Sequence, residues 1–368
     1  MYKFSAPMPY TIEDINKILD INKEVEKSKI ISLYACVPQN CEVFTGFEQA
    51  RNVEFKNTSR DYWKSLIEYV LSCNCDFIYL LNSPRPFDIK NPDFSQKIEK
   101  LELLLNELKK IGVKKLRIAS GQLMSHIAKY YNCFDLLAST SLEYKTILEY
   151  ENFIKIHSNI KQIVPSHDVN KNFLLLKNLR KKYPNIELEI MVNEGCLRGC
   201  PNRNLHSQIN FDNNIIINNY ESLSPSFATN FCFSILDRYP ISSFIFGNNI
   251  FPWDIEEYAK IGINNFKLVG RDRFYVFADY VNKYKIYLKG IDNIKNILDC
   301  SLADLTHHLS TNLILKKLTV KDCIKYLPAV SHFKKYGHLC ASICSYKCFY
   351  CYHCIKQLQK VFIKKYKK

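Results

Sequence analysis

At 368 residues, nearly half of them apolar, the chain can bury a substantial core, enough for one large α/β domain with an appendage or for two ordinary domains. The net charge of +15 invites an anionic partner, yet 13 lysines and a single acid, Asp322, fall between Thr311 and Lys368, so the basic character belongs to the C-terminal segment and reads first as a solvated lysine face and second as an RNA-binding one. Met1 to Tyr10 carries two prolines and no charged-then-apolar leader, and no run approaches the ~18 apolar residues that span a bilayer, which argues against export and membrane insertion and predicts a cytoplasmic protein whose 15 cysteines are reduced or metal-bound.

In chain order, apolar runs of strand length alternate with amphipathic stretches. The predicted strands are Ile30 to Val37, Asp76 to Asn82, Lys115 to Ser120, Asp135 to Thr140, Lys161 to Ser166, Ile186 to Asn193, Ser243 to Asn248 and Asn265 to Gly270. Helical patterns lie between them: Arg60 to Ser72, Phe94 to Ile111, Gln122 to Tyr131, Glu143 to Ile156, Asn170 to Tyr183, Asp254 to Ile261 and Arg273 to Leu288. Eight such alternations predict a TIM-like (β/α)8 barrel over residues 1–290, with active-site groups at the carboxyl ends of its strands. Those ends carry Cys36, Asn82, Ser120, Thr140, His167 with Asp168, Asn193 with Glu194, Asn248 and Arg271. Residues 291–368 then form a small helical extension, rich in cysteine and lysine.

The segment after the sixth predicted strand is too long for an ordinary βα connection, and long loops in compact barrels tend to be functional. Spanning residues 194–240, it holds Cys196, Cys200 and Cys232, together with Glu194, Arg203 and His206. Two thiols four residues apart at a barrel mouth suit iron–sulfur ligation better than a zinc knuckle, whose gap is more often two residues. A fourth ligand is then needed for a [4Fe-4S] cluster; Cys36 at the end of the first predicted strand is the choice, with Cys41 in reserve. Glu194, Arg203 and His206, with Arg271 after the last strand, form a set that can bind an anionic substrate and move a proton. Equally, Arg203 and His206 could do no more than hydrogen-bond thiolates or cap the loop. Cys73, Cys75, Cys133, Cys300 and Cys323 read as ordinary thiols in helical or junction positions.

A second set, Cys340, Cys344, Cys348, Cys351 and Cys354, places five thiols in 15 residues, which packing alone does not explain. The run Cys344-Ser-Tyr-Lys-Cys348-Phe-Tyr-Cys351 matches the C-x3-C-x-aromatic-C pattern of radical S-adenosylmethionine enzymes. In that superfamily, however, the motif opens the barrel, whereas here it follows the barrel candidate. A structural zinc site or a second iron–sulfur cluster is the better reading. The sequence has no G-x-S-x-G, H-E-x-x-H, P-loop or strand-to-helix G-x-G-x-x-G pattern, so serine hydrolase, zinc protease, nucleoside triphosphatase and dinucleotide readings lack local support.

The loop resembles that of the peptidase family U32, in members with the pattern Asn-Glu-x-Cys-x3-Cys-Pro-x-Arg-x2-His, here Asn193, Glu194, Cys196, Cys200, Pro201, Arg203 and His206. The likeness continues through Cys232, Pro252-Trp253-Asp254, Gly262-Ile263, Phe266-Lys267 and Gly270-Arg271 to a cysteine cluster before a basic helix, covering roughly residues 30 to 365. The resemblance implies a TIM-barrel-like domain, often with a [4Fe-4S] cluster on four cysteines, and Cys196, Cys200 and Cys232 fall on matching positions. Some members of that family are proteases by reputation. Others take part in oxygen-independent hydroxylation in ubiquinone synthesis or on tRNA and ribosomal RNA, in some cases with prephenate as the proposed oxygen donor. The glycine- and serine-rich segment of many relatives is replaced here by Ala35-Cys36-Val37-Pro38-Gln39-Asn40-Cys41.

The expectation is therefore an iron–sulfur enzyme making an oxygen-independent, hydroxylation-like modification of RNA, a peptide or an anionic metabolite, with an electron-transfer or other partner protein and no membrane. A metal-dependent U32 peptidase is the alternative, with Glu194 the obvious base in the loop. A non-catalytic RNA-binding or scaffold protein is a further one.

Overall fold

The computed structural model describes residues 1–36, 59–82, 94–200, 203, 238–270, 277–307, 312–328, 331–336 and 349–366. Eight strands pair in sequence order, all parallel: β1 (Tyr2–Pro7), β2 (Ser28–Ala35), β3 (Asp76–Leu81), β4 (Lys115–Ile118), β5 (Asp135–Ala138), β6 (Ile160–Ile163), β7 (Glu187–Met191) and β8 (Asn265–Lys267). Pairing of Lys3, Phe4 and Ser5 with Asn265, Phe266 and Lys267 joins β1 to β8 and closes the barrel, the TIM-like fold expected. The helices are α1 (Ile12–Asp20), α2 (Arg60–Ser72), α3 (Phe94–Lys110), α4 (Gly121–Tyr130), α5 (Ile147–Ile156), α6 (Phe173–Lys182), α7 (Pro240–Phe246), α8 (Ile255–Ala259), α9 (Phe277–Asp292), α10 (Leu313–Lys317), α11 (Val320–Cys323) and α12 (Phe349–Tyr366). None of the described helices is long and apolar enough to cross a membrane.

One of the expected strands needs correction, and one strand of the barrel was not expected. Ser243 to Asn248 is helical: Pro240 supplies the preset backbone of a first helical turn, and α7 buries Ile241, Phe244, Ile245 and Phe246. A short helix covered on every side has the same continuous apolar run as an interior strand, so periodicity cannot separate them. The strand that completes the eight is instead β1, in the proline-bearing segment Tyr2–Pro7. It alternates: Phe4 and Ala6 join the core under the helices, while Lys3 and Ser5 line the inside of the barrel. Cys36 therefore follows β2, Glu194 follows β7, and Asn248 ends no strand.

Helical period places the apolar stripes where the barrel needs them. Trp63, Leu66, Ile67 and Val70 on α2 are all buried, and Ser59 caps that helix by accepting from the Tyr62 N–H at 3.2 Å. Helix α5 begins at Thr146 with a reciprocal capping box to Glu149, leaving Glu143 outside the helix predicted to contain it. Beyond β8, Gly270 (φ +144°) is required, since a Cβ there would lie 2.7 Å from the Tyr284 hydroxyl.

A second apolar core lies beside the barrel. It joins Ile241, Phe244, Ile245 and Phe251, from the connection between β7 and β8, to Leu302, Leu305, Leu315, Leu318, Cys351, Cys354, Ile355 and Leu358 of the C-terminal segment. Cys323 belongs to this core and Cys75 to the barrel core, and burial pushes both thiols up to about 12, as befits packing groups.

Asp254, just before α8, is 8% exposed, and burial pushes its carboxyl up to about 7 even though Lys171 pulls the other way. The folded protein therefore binds this proton more tightly than the unfolded chain, whose carboxyl titrates near 4, so its contribution to stability falls as pH rises from about 4 to 7. Asp254→Asn is expected to remove that slope. In urea titrations the variant should gain on wild type by roughly 2–4 kcal/mol between pH 4.5 and pH 8. An unchanged difference across that range would show that the carboxylate is already charged at low pH.

Candidate functional site

The carboxyl-terminal mouth of the barrel gathers side chains that follow three consecutive strands, β5, β6 and β7. Met191 ends β7, and Asn193 then bridges to the end of the neighbouring strand: its Oδ1 accepts from the Val269 N–H at 2.8 Å and its Nδ2 donates to the Val269 carbonyl at 3.1 Å. The Asn193 carbonyl accepts from the His307 N–H at 2.9 Å, tying the C-terminal segment to the same point. Glu194 is buried, and its Oε1 accepts from the Cys196 N–H at 2.9 Å, which folds the loop back over the strand end.

The loop is fastened to the turn after β6. Asp168 Oδ1 accepts from the Gly199 N–H at 2.8 Å and from Arg203 Nη2 at 2.9 Å, and Lys145 Nζ lies 2.8 Å from Oδ2. Gly199 reaches this position with φ +62°, a region glycine enters without steric cost. Burial alone would raise the Asp168 carboxyl, but Arg203, Lys145 and the Gly199 amide outweigh it and hold the group below the usual carboxylate range. Arg203 Nη2 also donates to the Leu197 carbonyl at 2.6 Å. Burial opposes the Arg203 charge, and Cys196, Asp168, Glu143 and Glu194 reverse that effect, raising its pKa further. Its Nε and Nη1 are buried without a hydrogen-bond partner among the described residues.

His167 lies between two carboxylates. Its Nε2 is 3.6 Å from Glu194 Oε2 and its Nδ1 is 3.7 Å from Glu143 Oε1, ion-pair distances rather than tight hydrogen bonds. Burial lowers the imidazole pKa, but Glu143 and Glu194 overcome this and raise it, so a charged imidazolium is stabilised. Glu143 has φ +55°, uncommon for a residue with a side chain, and its Oε2 accepts from the Ser166 hydroxyl at 2.8 Å. Burial raises its carboxyl and His167 more than offsets that, so it stays below its ordinary value.

The structure thus brings Glu194, Cys196, Cys200 and Arg203 together, and adds His167, Asp168, Glu143 and Lys145, which the sequence reading had not assigned to the site. For His167 and Asp168 the signal was available, since both directly follow a predicted strand; for Glu143 there was none, because it read as helix. Cys36 is buried among Tyr34, Ile78, Leu80 and Leu137 at the end of β2, three strands from β7 around the barrel. Cys351 and Cys354 are buried in the first turn of α12, and Arg198 Nη2, in the loop between Cys196 and Cys200, lies 3.6 Å from Cys351 Sγ. His206, Cys232, Arg271, Cys340, Cys344 and Cys348 lie outside the described residues, as does Cys41. Among the described residues, no three His, Cys, Asp or Glu side chains are grouped to hold a metal ion.

No protein-family model matches the chain, and no curated protein matches it. Solved structures do match at low identity. A U32 peptidase, Mk0906, is 10% identical, covering 73% of this chain and 93% of its own, with a TM-score of 0.45. The N-acetylneuraminate lyase of Fusobacterium nucleatum is 10% identical over 99% of this chain and 98% of its own, with a TM-score of 0.36. The structure of CpGH84B is 11% identical over 99% and 73%, with a TM-score of 0.38.

Asp168→Asn removes the charge that compensates buried Arg203. The expected cost is about 2–4 kcal/mol in the urea unfolding free energy, because the guanidinium is left buried beside a neutral amide. Hydrogen exchange of the Gly199 amide should accelerate in the same variant beyond what the global loss explains. Exchange at Gly199 that merely tracks global stability would show that the loop is held by other contacts.

Proposed function

We propose that this chain is an iron–sulfur enzyme of the U32 type, which makes an oxygen-independent redox modification, such as hydroxylation, of RNA, a peptide or an anionic metabolite. The observation that carries the reading is the placement of Cys196 and Cys200: two half-buried thiols in the loop after β7, beside a Glu143–His167–Glu194 row. They stand in the motif that resembles the U32 pattern. The surroundings suit an anionic cluster, since Arg203 is buried next to Cys196 and has two donor nitrogens without partners among the described residues. In this reading Cys196, Cys200 and Cys232 hold a [4Fe-4S] cluster, with Cys36 as the fourth ligand. The bound cluster would supply one-electron chemistry at the barrel mouth.

The chain's own groups take the remaining roles. Glu194 and Glu143 hold a proton on His167, whose Nε2 can deliver it toward Glu194 and the thiol loop. Arg203 orients negative charge through Nε and Nη1, while His206 and Arg271 are assigned to the substrate from their place in the motif. Cys340, Cys344, Cys348, Cys351 and Cys354 are assigned a second centre, zinc or iron–sulfur, which the Arg198 contact to Cys351 would place against the same loop. Exposed Lys356, Lys360 and Lys364 on α12, with Tyr352 and Tyr366 among them, favour RNA among the substrate classes.

Iron, sulfide and zinc analysis with an absorption spectrum on anaerobically purified protein tests this directly. About four irons per chain and a band near roughly 400 nm, both lost in the Cys196→Ala, Cys200→Ala double variant, are expected for a single cluster. About eight irons would assign iron–sulfur to the C-terminal cysteines as well, and four irons with zinc would assign them zinc. Zinc alone would favour the peptidase reading, and protein without any bound metal would overturn the proposal.

A further inference from the structure

The strip of chain between α7 and α8 carries a polar side chain for which the fold has no use. Asn248 is fully buried, and both its Oδ1 and its Nδ2 lack a hydrogen-bond partner among the described residues. Its backbone, by contrast, is engaged: the Asn248 N–H donates to the Cys196 carbonyl at 3.0 Å. Leaving a buried polar atom unsatisfied is unfavourable, so an apolar side chain of the same branched shape would suit the fold better. A carboxamide held at that disadvantage, on the backbone of a loop thiol, points to a bound group.

The pairing around that bond fixes the direction of the carboxamide. Leu197 and Gly247 form an isolated antiparallel bridge, and on its far side the Arg198 N–H donates to the Phe246 carbonyl at 3.1 Å. One residue back from the bridge, Cys196 stands directly opposite Asn248. Opposite residues of an antiparallel pair project to the same face, with Cβ atoms roughly 4.5–5.5 Å apart. Asn249 bears out the alternation: its Nδ2 lies 3.0 Å from where a Cβ on Gly247 would stand, so 247 and 249 share one face and Asn248 takes the other, with Cys196. Arg203 is also close enough to Cys196 to feel its charge, and its Nε and Nη1 lack hydrogen-bond partners among the described residues. Three unsatisfied donor atoms thus adjoin one thiol. A cluster sulfur, which offers acceptors and no donor, matches that set.

We propose that Asn248 is a hydrogen-bond donor to the cluster held at Cys196, and that this N–H···S contact sets the reduction potential of the site. The inference rests on the iron–sulfur reading above and extends it to a residue outside the cysteine motif. Donation from Nδ2 stabilises the more negative, reduced state of the cluster, so losing the donor lowers the potential. Asparagine rather than aspartate suits the position, because a carboxylate opposite Cys196 would repel the same charge.

Redox titration of the anaerobically purified full-length protein, with hyperfine spectroscopy of exchangeable protons on the reduced cluster, tests the assignment. Asn248→Leu keeps the branched shape and loses the donor. It should retain wild-type iron, lower the midpoint potential by about 59 mV, a tenfold change in the one-electron equilibrium, and remove one exchangeable-proton coupling. Asn248→Ala should act in the same direction and serves if leucine overfills the site. Asn249→Ala, on the opposite face, should leave potential and coupling at their wild-type values. Iron-bearing Asn248 variants with unchanged potential and coupling would overturn this inference alone. Loss of iron from both variants would make Asn248 a support of the loop rather than a donor to the cluster, with the same consequence. Wild-type protein that holds no iron would overturn it together with the iron–sulfur reading.

Discussion

The parallel hydrogen bonds between β1 and β8 are the constraint from which the rest of the molecule follows. Closure directs every strand's carboxyl end to one mouth, so groups after β5, β6 and β7 meet there although whole helices separate them in the chain. Glu143, His167 and Glu194 are adjacent for that reason alone. The same closure seals the interior, where a polar side chain must find its partner within the ring. Arg117 and Glu189 are that solution in one layer, and Val164, Met191 and Val269 form an apolar layer between them and the mouth.

At the mouth, fixed charge holds what secondary structure does not. The described loop residues 195–200 contain no helix or strand, only an isolated bridge between Leu197 and Gly247. Asp168 compensates for this by accepting from the Gly199 backbone and from Arg203 while also facing Lys145. Arg203 and Lys145 set positive charge against the carboxylates of Asp168, Glu143 and Glu194, so the loop is held by a network of opposite charges. The turn after β6 and the loop after β7 form a single unit.

Most of the barrel was legible in the sequence because its strands are short apolar runs bounded by amphipathic stretches. The failures have one physical origin: near the ends of a fold, burial comes from unusual directions. Tyr2–Pro7 reads as irregular because it carries a proline, and its Lys3 and Ser5 look like loop residues until closure turns them inward, with Tyr2, Phe4 and Ala6 on the core side. Ile241 to Phe246 is apolar on every face because α7 lies inside the second core, so its run imitates a strand. The thiols of the loop could be found from spacing. The imidazole between two carboxylates could not, since three residues on three different strands leave no spacing to read.

The second core determines how far the C-terminal segment can be separated from the barrel. Part of that core comes from the connection between β7 and β8, so Ile241, Phe244 and Ile245 would lose their cover if the chain ended at the last barrel helix. Arg198 makes the dependence specific to the site. Its Nε donates to the Phe246 carbonyl at 3.3 Å, its Nη2 reaches Cys351 Sγ, and its guanidinium lies 5.1 Å from the Phe333 ring. The loop between Cys196 and Cys200 is therefore fixed from the barrel side by Asp168 and from the extension side by these contacts. A displacement of the first turn of α12, where Cys351 and Cys354 are buried, acts on Arg198 and hence on the spacing of the two loop thiols. The position of Cys351 is thereby coupled to the barrel mouth through the Arg198 guanidinium.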